Sequence, residues 1–121
     1  MSQQRLPPEV QQTLTQYQAL RENYAKLDAE LKLVEAELAD IDHILDTLKT
    51  MEQETDIYKM VGHVLVKKPR DEIIKELEER KEILGIKKDK YKKQLEILEK
   101  QISDLEKRLR ELLAKYGITV A

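Results

Sequence analysis

Counted in sevens from Val10, the chain sets Val10, Tyr17, Tyr24, Leu31, Leu38 and Leu45 in one register and Thr13, Leu20, Leu27, Val34, Ile41 and Leu48 three residues on. Eleven of these twelve positions are apolar. A second stretch repeats the pattern, with Ile74, Lys81, Lys88, Leu95, Ile102, Leu109 and Tyr116 interleaved with Leu77, Leu84, Tyr91, Leu98, Leu105 and Leu112. A 3.5-residue spacing lays a narrow apolar stripe that winds against another helix, whereas a helix on a broad core shows a wider one. The pattern predicts two coiled-coil helices of similar length, about 8–51 and about 69–116. They are joined by a linker too short for them to run parallel, so an antiparallel helix hairpin follows, roughly 60 Å long at about 1.5 Å per residue.

The boundaries carry their own signals. Pro8 with Glu9, and Pro69 with Asp71 and Glu72, suit first helical turns, where Pro forfeits no hydrogen bond and acids complement the dipole. Gly117 suits a helix end, and Gly85 interrupts the second helix at an outward position as a flex point. Surface pairs four residues apart, such as Glu22–Lys26, Glu76–Arg80, Glu106–Arg110 and Glu111–Lys115, are expected to support the exposed faces.

Between the helices, about 57–67, the period changes from 3.5 to 2. Ile57-Tyr58-Lys59-Met60-Val61 and Val64-Leu65-Val66-Lys67 are β-rich runs flanking Gly62-His63, and Gly at the first central position fits a type II′ turn. Pairing Val61 with Val64 puts Ile57, Val61, Val64 and Val66 on one face and Tyr58, Met60 and Leu65 on the other. A lone two-stranded hairpin is marginal in water, and this one is apolar on both faces with two open edges. It therefore needs strands from neighbouring subunits, closing a barrel or extended sheet. Ile44 and Ile73, off the seam near the junction, are candidates for its packing floor.

Composition narrows the class. Charged residues make up 38% of the 121 and aromatics 4%, with neither Phe nor Trp, so side chains that fill a compact core are scarce. Residues 1–50 carry five basic and nine acidic side chains, the remainder seventeen and fifteen, and these opposite balances of −4 and +2 favour pairing of the two halves. Seam residues Lys81 and Lys88 fall beside Glu35, Glu37, Asp40 and Asp42 in the antiparallel register. They are expected to lay their stems on the stripe and reach those carboxylates, fixing register at some cost in stability.

The absence of cysteine removes disulfides and thiol chemistry and fits a reducing compartment. No apolar run approaches the roughly 20 residues that cross a bilayer, and Met1–Gln12 lacks a signal pattern, so a soluble, cytoplasmic protein with no membrane partner is expected. Three glycines make no phosphate cradle, His43 and His63 lack ligand-spaced partners, and the carboxylates lie on convex surfaces. Neither an enzyme nor a metal or cofactor protein is expected.

Antiparallel pairing gathers both chain ends at the free ends of the helices. There Leu6, Leu14, Leu113, Ile118 and Val120 add apolar surface beside Val10, Leu109, Leu112 and Tyr116. Such a patch marks a contact surface, and the ends 1–7 and 117–121 are expected to be flexible enough to suit varied partners.

The run DIYKMVGHVLVKKPRDEIIKELEER between two such helices closely resembles the β class of prefoldin subunits, in which a Tyr-Lys, a turn Gly and a Leu-Val strand recur. The resemblance extends from Pro8 to Tyr116, and a single hairpin matches the β rather than the two-hairpin α class. It implies a mostly α single domain, a long antiparallel two-helix coiled coil whose hairpins assemble into an oligomeric β-barrel platform of two α and four β subunits. It also implies ATP-independent capture of non-native polypeptides at the coiled-coil tips and delivery to a group II chaperonin, with Tyr58, Gly62, Leu65 and Val66 in the platform.

Two other readings compete. Lys87, Lys88, Lys90, Lys92 and Lys93 around Tyr91 put five positive charges in seven residues, as a nucleic-acid-binding arm would. Tyr91, however, is a seam residue and Asp89 breaks the run, so no nucleic-acid partner is expected. A structural coiled-coil scaffold joining fixed partners would hold one preferred client only.

Overall fold

The protein is described from a computed structural model over residues 6–119. It is mostly helical, in the order α1 (Pro8–Thr50), β1 (Ile57–Val61), β2 (Val64–Lys68) and α2 (Arg70–Lys115). The chain forms two compact units, one from its residues up to Glu30 and from Tyr91 onward, the other Leu31–Lys90.

The helix ends follow the local chemistry. The Pro7 carbonyl accepts from Gln11 N at 3.0 Å, so Pro8 is the first helical residue of α1, the position where its missing N–H costs nothing. Pro69 sits one place earlier relative to α2: its carbonyl accepts from Ile73 N, and the helix begins at Arg70. At the far end of α2, Gly117 takes φ +65°, Gly117 N donates to Ala114 O at 3.1 Å and Ile118 N to Leu113 O at 2.8 Å. Those two bonds make a Schellman cap, which turns Ile118 back along the helix toward Leu113.

Helix α2 runs unbroken through Gly85, where a flex point was expected. Nothing lies within 4 Å of where a Cβ would stand. Gly85→Ala is therefore expected to stabilise the protein by about 1 kcal/mol, since only the entropy of the unfolded chain changes. A rise in the urea midpoint at unchanged slope checks this.

In the unit containing the chain ends, the partners Glu9–Tyr116, Tyr17–Glu106 and Tyr24–Glu99 show α1 numbers rising as α2 numbers fall, an antiparallel pair. Val10, Leu95, Leu98 and Leu112 are buried in it. Thr13, the one polar residue of the α1 stripe, is buried too, and its hydroxyl donates to Glu9 O at 2.9 Å, so the seam keeps no unsatisfied donor there. Tyr17, Leu20, Tyr24, Leu27, Ile102, Leu105 and Leu109 are only half-buried.

In the other unit, Asp42–Lys81 and Lys49–Glu78 pair in the same antiparallel sense around buried Leu31, Val34, Ile41, Leu45, Leu48, Ile73 and Leu84. Lys81 reaches Asp42 at 2.7 Å from the seam edge, the arrangement its position predicted, while Lys88 makes no ion pair among the described residues. The hairpin β1–β2 is antiparallel with Ile57 opposite Lys68 and Val61 opposite Val64. Gly62 takes φ +60° and His63 has no positive φ, as a type II′ turn requires.

Candidate functional site

Two surfaces present apolar side chains with too little of the chain to cover them. The first is the hairpin. Period-two alternation puts Ile57, Lys59, Val61, Val64, Val66 and Lys68 on one face and Tyr58, Met60, Leu65 and Lys67 on the other. Met60 is 71% exposed, Leu65 62%, Tyr58 55%, Val64 62% and Val61 53%, with Val66 lowest of the exposed set at 38%. Among the apolar residues of the hairpin, Ile57 alone is half-buried. Of the two residues expected beneath the hairpin, Ile73 is buried, but Ile44 remains exposed, since no part of the described chain covers its flank of α1.

Polar contacts tie this hairpin down at its base. Arg70 Nη1 donates to Met51 O at 2.7 Å, placing a cation on the carbonyl end of α1, and Lys67 meets Asp56 at 3.0 Å. Glu76 of α2 accepts from Lys59 Nζ on Oε2 at 2.9 Å and from Lys68 Nζ on Oε1 at 2.8 Å. Those two ammonium groups, Lys68 foremost, hold the Glu76 carboxyl down at about 2, so it stays ionised where ordinary glutamates protonate.

The second surface is the free end of the helix pair. Val10 and Leu112 are buried and form its floor. Leu6, Leu14, Leu109, Leu113 and Ile118 are half-buried, and Tyr116 is exposed with its hydroxyl donating to Glu9 Oε2 at 3.0 Å. Leu14 and Leu113 each stand four residues beyond a seam position, Val10 and Leu109, so they occupy the flank of the pair rather than its seam. Val120 lies outside the described residues. The Schellman cap gives this end more cover than the sequence suggests, because it returns Ile118 to the helix.

Sequence reasoning missed three features. The seam tyrosines of the end-containing unit span to carboxylates of the opposite helix: Tyr17 to Glu106 and Tyr24 to Glu99, each at 2.9 Å, Tyr116 to Glu9, and Tyr91 toward Glu30. A phenol is too long to end inside a narrow seam, so its hydroxyl emerges at the edge. The Glu99 bond pushes the Tyr24 phenol up; for Tyr91 burial comes first and Glu30 second. Secondly, charges expected to pair along one helix pair elsewhere: Arg80 with Glu37, Lys115 with Glu9, and Glu76 with the hairpin. Thirdly, Leu33, Ile83, Ile86 and Ile97 are exposed apolar residues outside the seam, a signal visible in the heptad count once every position is assigned.

Other chemistry is sparse. Among the described residues no three His, Cys, Asp or Glu side chains are grouped to hold a metal, and no helix is long and apolar enough to cross a membrane. The clefts are open surface hollows, such as the one of about 410 Å³ bordered by Arg21, Tyr24, Glu99 and Glu106. Lys87, Lys90, Lys92 and Lys93 are exposed, but Tyr91 among them is half-buried and turned to Glu30, away from any stacking role.

Residues 11–116 match the family model described as Prefoldin subunit. The chain is 40% identical over 113 residues to a protein of Saccharolobus islandicus (strain L.S.2.15 / Lassen #1) named prefoldin subunit beta, covering 93% of this chain and 90% of that one. The same figures hold for the prefoldin subunit beta of Sulfurisphaera tokodaii. Among solved structures, it is similar to the prefoldin beta subunit from Thermococcus strain KS-1, with a TM-score of 0.81, 25% identity, and coverage of 92% of this chain and 97% of that one.

Proposed function

This chain belongs to the prefoldin family, with the single hairpin of its β class, and on that footing we propose that it captures unfolded or nascent polypeptides at its helix ends without ATP and hands them to a group II chaperonin. Family membership supports a chaperone role. The observation that carries the finer reading is the set of apolar side chains at the free helix ends that the seam does not use: Leu6, Leu14, Leu113 and Ile118, half-buried beside exposed Tyr116. A small adaptable apolar patch binds any one unfolded segment weakly, and several copies on one assembly supply the avidity. The hairpin, in this reading, joins the chain to other prefoldin subunits, with two α and four β as the assembly, and the protein works in the cytoplasm.

Substitution tests this better than truncation, because removing Pro7 or Gly117–Ile118 would also remove helix caps. Changing Leu6, Leu14, Leu113 and Ile118 to Ser should leave assembly with an α-class subunit unchanged. It should also raise severalfold the concentration needed to stop a chemically unfolded reporter enzyme from aggregating without nucleotide. Full protection by the quadruple variant would remove the helix ends from the reading. Protection should persist at high salt, whereas affinity resting on the lysine run would fall steeply.

A further inference from the structure

The two faces of the hairpin are not equivalent, and Glu76 makes the difference. Lys59 lies in β1 and Lys68 at the end of β2, yet both belong to the same hairpin face, because Lys59 pairs with Val66 and Lys68 with Ile57. Each donates to a different oxygen of one carboxylate, at 2.9 and 2.8 Å, and Lys68 also lies 3.7 Å from Glu72. One tether would leave the hairpin free to roll about its long axis. Two tethers from different strands, some two residues and one strand spacing apart, resist that roll.

The consequence is visible in exposure. On the tethered face Ile57 is half-buried and Val66 is the least exposed of the uncovered apolar strand residues; Val64, at the turn beyond the clamp, is as exposed as Leu65 on the opposite face, where Met60 is the most exposed apolar residue of the hairpin.

We propose that Glu76 is a positioning residue for assembly: by holding one lysine from each strand it sets the hairpin's attitude on α2, so that the face of Tyr58, Met60 and Leu65 is offered to the hairpin of a neighbouring subunit. This rests on the reading that the hairpin joins subunits.

The chain has no cysteine, so spin labels on His63→Cys and Glu79→Cys report the hairpin-to-α2 distance cleanly when the labelled chain is diluted into unlabelled protein. With Glu76 intact, one narrow distance distribution is expected. Glu76→Gln, which keeps the shape and removes the charge, should at least double its width and weaken assembly with an α-class subunit about tenfold, with the far-ultraviolet helix signal unchanged. Replacing Lys59 and Lys68 by Gln should do the same, and combining all three changes should add nothing further, because they break one clamp.

An unchanged distribution in Glu76→Gln, full additivity of the changes, or a broadened hairpin that assembles as tightly as before would each overturn the proposal. Normal assembly of a Met60→Glu/Leu65→Glu variant would instead bring down the hairpin-joining reading, and a broad Glu76→Gln distribution would still mark the clamp.

Discussion

Replacing Met60 and Leu65 together with Glu is expected to abolish assembly with other subunits while leaving both helices folded. The two residues oppose each other in the β1–β2 register, and at 71% and 62% exposure they contribute little to the isolated chain. Fully burying such side chains against a neighbour is worth roughly 1.5–3 kcal/mol apiece. A pair of carboxylates in their place loses that gain and adds a desolvation cost of several kcal/mol per ion. At about 1.4 kcal/mol per decade, association should weaken at least a hundredfold. Sedimentation of the variant with an α-class subunit should show separate species, and circular dichroism should match the unaltered chain. Intact assembly would mean the hairpin joins nothing through this face.

The second large effect is on stability. Leu84→Ala is expected to cost about 3 kcal/mol, within the usual 2–5 kcal/mol for deleting a fully buried leucine. Leu84 is 1% exposed on α2, in a unit whose other buried seam residues come mainly from α1. A helix pair has no second layer of side chains to collapse into the vacated space, so the cavity term persists. By contrast Lys81, paired with Asp42 but about half exposed, should matter little, since solvent screens such an ion pair and holding two long side chains in one geometry offsets its attraction. Urea unfolding of the two alanine variants checks the contrast. A Leu84→Ala loss no larger than that of Lys81→Ala would show the seam is not what holds this unit together.

Much of this was legible because a heptad count is local information. The stripe from Val10 to Leu48 and the one from Ile74 to Tyr116 mark both helices, and the switch to period two at Ile57 marks the hairpin with its Gly62 turn. Thr13, the odd member of the stripe, needed the structure to show its hydroxyl satisfied by Glu9 O. Contacts that depend on how one element folds back on another were not legible. Glu76 looks like half of an intrahelical pair with Arg80 until the hairpin brings Lys59 and Lys68 to it. The tyrosine hydroxyls likewise find Glu99 and Glu106 only across the seam. Ile118 reads as a loose apolar tail, and only the cap hydrogen bonds reveal that the chain turns it back toward Leu113.

The central claim is a division of labour, with the helix ends holding unfolded chains and the hairpin holding subunits. Photo-crosslinking from single positions tests it most directly: a photoreactive residue at position 113 or at position 60, in protein assembled with an α-class subunit and mixed with an unfolded reporter without nucleotide. Position 113 should give adducts with the reporter, and position 60 adducts between subunits only. Reporter adducts from position 60 with none from position 113 would contradict it.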